Sequence, residues 1–138
     1  MKKIIFQTPE EFYREAIRYY RNAKERLRQT KVVHDRYKDL KPVREACALG
    51  YLSTLLALDG FFLKSGLEKD KLPVSIDGYW KNLRKYTIYN GKIIDAFSIV
   101  YENLHIFGYY RGASDINVVK SGFEKAYLII KTLSGNKF

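Results

Sequence analysis

One stretch of the chain constrains its fold more than any other. Between Pro42 and Gly66 the sequence runs VREACALGYLSTLLALDGFFLKS, and residues 46–58 carry no charge. Val43, Ala46, Cys47, Gly50, Tyr51, Leu55, Leu58 and Phe62 recur at steps of three and four, the apolar stripe of a helix. Leu49, Leu52, Leu56 and Leu63 then cover much of the opposite side. A helix that is apolar nearly all round has to be enclosed by others, so it is read as the central helix of an all-α bundle. Its alanines and glycines allow those neighbours to approach closely. The uncharged run is too short to cross a bilayer and is closed by Asp59.

The flanking segments supply the enclosing helices. Thr8-Pro9-Glu10-Glu11 is a helix start, with Thr8 as cap, Pro9 at the first helical position and Glu11 completing a capping box. Phe12, Ala16, Tyr19, Ala23 and Leu27 follow on one face, to about Arg28. Residues 29–41 are polar and irregular. After a charged loop at residues 66–73, Ser75 can cap a short third helix from Ile76 to about Tyr86. Tyr89-Asn90-Gly91 is a turn or helix start. A fourth helix follows, with Ile93, Ile94, Phe97, Tyr101, Leu104 and Phe107 facing inward. Gly112-Ala113-Ser114-Asp115 breaks the chain, and Asp115 can cap a fifth helix. Its stripe is Val119, Phe123, Ala126, Tyr127, Ile130 and Leu133, ending at Gly135. Nowhere do apolar and polar residues alternate long enough for a sheet. The expectation is one domain over residues 1–138, a compact, mostly antiparallel bundle of four or five helices. A chain of this length can bury roughly two-thirds of its unfolded surface.

Composition narrows the function classes. Cys47 is the only cysteine, so no internal disulfide can form. On the apolar stripe it reads as an inert core thiol. The first seven residues hold too few apolar side chains for a signal-peptide core, which points to the cytoplasm and to no membrane partner. Two histidines and one cysteine are too few for a His/Cys zinc site, and there is no phosphate-binding glycine-lysine loop or dinucleotide glycine pattern. No metal, cofactor or catalytic residue is therefore assigned. The net charge is +10 and uneven: residues 1–44 hold 13 Lys/Arg against 6 Asp/Glu. Arg14, Arg18, Arg21 and Arg28 line one face of the first helix, a candidate anion-binding stripe, though Glu11, Glu15 and Glu25 interleave and favour a solvated, ion-paired face. Of the 21 aromatic residues 12 are tyrosines, whose hydroxyls need partners when buried.

Two further features stand out. Asp59 sits on the central helix near its C-terminal end, where a carboxylate is disfavoured both by burial and by the helix dipole. It either faces solvent or has a donor, and Tyr79, His105, Tyr109 and Arg111 are the donors of suitable type. The segment Leu104-His105-Ile106-Phe107-Gly108-Tyr109-Tyr110-Arg111-Gly112 places a histidine, two tyrosines and an arginine where the fourth helix ends. His105 and Tyr109, four apart, share a face. Asp59, Tyr79, His105, Tyr109 and Arg111 together form the candidate polar cluster.

Three groups of residues carry a resemblance. Ala48-Leu49-Gly50-Tyr51 with Leu56-Ala57-Leu58-Asp59-Gly60-Phe61 is the first. Ser75-Ile76-Asp77-Gly78-Tyr79-Trp80 is the second, and Tyr101-Glu102-Asn103-Leu104-His105 with Gly108-Tyr109-Tyr110-Arg111-Gly112 the third. Together they resemble a small bacterial family known only as a domain of unknown function, DUF5618. More distantly the layout is similar to HEPN domains, antiparallel helical bundles that are often dimeric and include RNA-cutting toxins and nucleotide-binding partners. The HEPN ribonuclease motif has an Arg followed four to six residues later by a His. Here no His follows Arg111 through Val118, and His105 precedes it. The resemblance thus implies the fold and a dimer, and supplies no activity. The resulting expectation is a non-catalytic interaction module, homodimeric, that binds a protein or, weakly, nucleic acid or another anionic ligand. The alternative is an HEPN-like RNA-processing or nucleotide-binding protein with His105 and Arg111 at its site.

Overall fold

The computed structural model describes residues 6–87 and 90–137, so Met1 to Ile5 of the basic start and Tyr89 of the predicted turn lie outside the described residues. Helix α1 spans Pro9–Leu27, α2 Leu40–Lys64, α3 Ile76–Tyr86, α4 Gly91–Val100 and α5 Ile116–Leu133. A π-helix, Tyr101–Tyr110, continues α4 without a break. A two-residue-per-strand hairpin joins α1 to α2, with β1 at Val32–Val33 and β2 at Arg36–Tyr37. The architecture is the all-α bundle that the apolar periodicity predicts.

Local chemistry sets the element ends. Thr8 Oγ1 accepts from the Glu11 amide at 3.2 Å, while the Glu11 carboxylate accepts from the Gln7 amide at 2.9 Å, one residue before the position a capping box would use. Asp39, Ser75 and Asp115 cap α2, α3 and α5 by accepting from Lys41, Gly78 and Asn117 amides. At the end of α2, the Leu67 amide donates to the Phe62 carbonyl and the Gly66 amide to that of Leu63, a Schellman closure with Gly66 at φ +109°.

The packing is up-and-down around α2. Gly60, near the end of α2, lies against Pro9, Phe12 and Tyr13 at the start of α1, while Arg26 pairs with Glu45 at the other end, so α1 and α2 are antiparallel. Phe97 and Tyr101 meet Tyr51, and Gly108 meets Cys47, so α4 and the π-helix also run antiparallel to α2. Phe123 of α5 packs on Gly50, and Ile130 joins Ala57, Ala16 and Ile17 further along, which makes α5 parallel to α2 and antiparallel to α1. Short α3 lies over the C-terminal half of α2 through Tyr79 and Tyr86 against Phe62. By length and hydropathy α2 could cross a membrane, a property the 46–58 run alone does not have; here 61% of its most apolar window is buried in the bundle.

Three expectations change. Residues 29–41 contain the small hairpin, whose His34 and Asp35 have φ of 51° and 60°, the left-handed pair of a type I′ turn. Phe107 does not face inward but is 47% exposed, and Gly108, four residues after Leu104 in the π-helix, lies against Cys47 of α2. Tyr127 is half-exposed at the rim, ring to ring with Tyr20, and Ile129 takes the inward place.

Candidate functional site

Asp59 stands on the same helical face as Ala48, Leu52 and Leu55, spaced four, three and four residues apart. This is the side of α2 that the long helices leave open, and α3 covers only its end. There Tyr79 donates its phenolic hydrogen to Asp59 Oδ1 at 2.9 Å, and the carboxylate is 7% exposed. Burial first, then the charge of Asp59 and the bond to it, push the Tyr79 phenol far above its ordinary pKa. Tyr79 is thus a fixed donor, and the pair clasps α3 to the central helix.

His105, Tyr109 and Arg111 lie elsewhere and do not bond Asp59. The His105 ring stacks on Tyr51 at 4.5 Å with 21° between planes, and Tyr109 stacks on His105 at 6.1 Å and 13°. Tyr101 closes the group at 5.4 Å from His105. Partial burial lowers the His105 pKa, which favours the neutral imidazole. Arg111 is exposed just past the π-helix, where its amide donates to the Ile106 carbonyl at 2.8 Å. The candidate cluster therefore divides into a buried clasp, a ring stack and a surface arginine.

Tyr51 lies behind the ring stack, and sequence reasoning had it only as a core residue. Its ring supports that of His105. Burial pushes its phenol up to about 12. Its position on the apolar stripe concealed this role; a tyrosine in a stripe otherwise built from residues without hydroxyls was the available signal.

The stripe on α1 is exposed at Arg14, Arg18, Arg21 and Arg28, and Arg18 forms an ion pair with Glu15. Cys47 is fully buried, its thiol pushed up to about 12 by desolvation, so thiolate chemistry is shut off at neutral pH. Among the described residues no three His, Cys, Asp or Glu side chains are placed to share a metal ion.

Residues 11–135 match the family described as Domain of unknown function (DUF5618). The chain belongs to this family. The match takes in α1 through α5, the Asp59–Tyr79 clasp and the ring stack. A solved structure of a protein of unknown function from Dyadobacter fermentans is similar, with 35% identity, 94% of this chain and 98% of that chain covered, and a TM-score of 0.79. No curated protein matches the chain.

Proposed function

We propose that this protein is a non-catalytic helical interaction module that pairs with a second copy of itself through the uncovered face of α2. The observation that carries the reading is Leu52, 44% exposed in the middle of the central helix. Half-buried Ala48 and Leu55 flank it on the same face, an apolar stretch bounded one turn before Ala48 by the Glu45–Arg26 ion pair. An exposed leucine with apolar neighbours on the central helix supports a protein-contact surface there. A second copy suits it because a two-fold pairing sets the same stripe against itself, and because the patch adds nothing to the +10 charge that keeps the copies apart elsewhere.

Light scattering at about 10 μM or above, where a micromolar dimer is mostly assembled, is expected to give twice the chain mass. Leu52→Lys is expected to give the monomer mass with an unchanged far-UV spectrum. A monomer mass for the unaltered protein overturns the reading.

A further inference from the structure

The turn after the π-helix gathers arginines from three parts of the chain. Arg111 begins it. Arg44, from the first turns of α2, lays its guanidinium over Gly112, whose φ of +69° and lack of a side chain make room; a Cβ there would be 2.7 Å from Arg44 Nε and Nη2. Arg36, from β2, donates from Nη1 to Ser114 Oγ at 3.0 Å. None of the three has a carboxylate within ion-pair distance among the described residues. Three acidic residues are close in the chain, and of these Glu45, beside Arg44, is paired with Arg26. Asp115 accepts from the Asn117 amide as the cap of α5, and Asp35 offers its backbone carbonyl to Ile116.

Two exposed aromatic residues immediately precede Arg111 in the chain. The stack Tyr51–His105–Tyr109 ends outward at Tyr109, which is 46% exposed, and the next residue, Tyr110, is 69% exposed. Tyr109 is thus a ring held in place from behind, so ordering it on binding costs little.

We infer that this corner binds single-stranded nucleic acid. A base continues the stack on Tyr109, Tyr110 holds a neighbouring base, and the backbone phosphates meet Arg36, Arg44 and Arg111. Unpaired bases present the flat faces such rings need, and spaced arginines suit a chain of phosphates better than one isolated anion. The α1 stripe lacks this combination, since its arginines alternate with glutamates and Arg18 is already paired. An acidic peptide would meet the arginines and leave the ring stack unused. The corner shares no residue with the Leu52 patch, so the two readings stand or fall separately.

The test is fluorescence anisotropy of a labelled short oligouridylate across a salt series. Binding at low salt is expected, weakening as salt rises. Tyr109→Ala is expected to lower affinity about tenfold, the scale of one lost base stack. Arg111→Gln and Arg44→Gln are each expected to make the slope of log affinity against log salt shallower by about 0.7, one phosphate contact on a single strand. Arg111, exposed and with no side-chain bond among the described residues, serves as the variant that leaves the fold undisturbed. Arg14→Gln/Arg21→Gln is expected to change little. Absence of binding at low salt overturns the inference. So does equal binding of polyglutamate or inorganic polyphosphate with no effect of Tyr109→Ala, or binding abolished by the α1 variant and unaltered by the corner variants.

Discussion

A carboxylate enclosed by apolar side chains keeps its place only when hydrogen-bond donors replace the water it has lost. Asp59 has such a donor in Tyr79, 2.9 Å away across the α2–α3 contact. Tyr79→Phe is expected to cost about 1.5–3 kcal/mol, the scale of a hydrogen bond to a charged group. Asp59→Ala is expected to cost about 2–3 kcal/mol, because the buried phenol loses its acceptor. Urea unfolding measures both, and the double variant should lose less than the sum, since each single change already breaks the shared bond. Asp59 was legible in the sequence as an anomaly, a charge on an apolar helix. Which of four candidate donors it uses was not, because the choice depends on how α3 lies across α2. His105 yields a second expectation at this scale. Its pKa is lower in the folded chain than the ordinary 6.5, so below about that pH the unfolded chain binds the proton first. Stability is therefore lost as pH falls through 6.5 and levels off below the folded-state value. His105→Gln should remove that part of the loss, read as the difference between the two proteins' unfolding midpoints across pH.

Among the elements, the π-helix departs furthest from what periodicity predicts. Leu104 and Gly108, four apart, share the face turned to α2, and beside Gly108 not even a methyl group fits. A Cβ on Gly108 would overlap Cys47 Sγ and come within 2.8 Å of Cys47 Cβ and 3.0 Å of the Asn103 carbonyl. In the π-helix Gly108 keeps that contact and Phe107 is left exposed, at the expense of regular i→i+4 bonding. Gly108→Ala is expected to destabilise by about 1–3 kcal/mol through overpacking. Adding Cys47→Ala should recover part of that loss in thermal or urea unfolding, a coupling that distant sites would not show. Helix caps and stops were readable because they depend on residues within a turn of one another. The close approach of Gly108 to Cys47 was not, because it joins residues 61 positions apart. The hairpin at residues 32–37 was missed for a different reason: its strands are too short to show alternation, and the signal lay in two adjacent left-handed residues, His34 and Asp35.

For the molecule as a whole, the charge of +10 makes the two proposed associations respond oppositely to salt. Pairing of two like-charged copies through an uncharged face is opposed by their mutual repulsion, which added salt screens over a length of about 10 Å at 0.1 M. The dimer's association constant, measured by sedimentation, is therefore expected to rise between low and physiological salt. Nucleic-acid binding at the arginine corner is expected to fall over the same range as condensed counterions cease to be released into dilute solvent. Leu52→Lys should abolish the first trend and leave the second.

The helical class, the order of the five helices, the centrality of α2 and the caps that start α1, α3 and α5 are legible in the residues alone, because periodicity and capping are short-range and each is decided within about one helical turn. The sequence also marked Asp59 and residues 104–112 as unusual, since a misplaced charge or a run of polar rings is visible without coordinates. That Asp59 meets Tyr79, that Tyr51 underlies His105, and that Arg36, Arg44 and Arg111 converge on one turn follows from the packing of the helices. Those pairings join residues from different elements, and they are set by where glycine and alanine let one helix approach another.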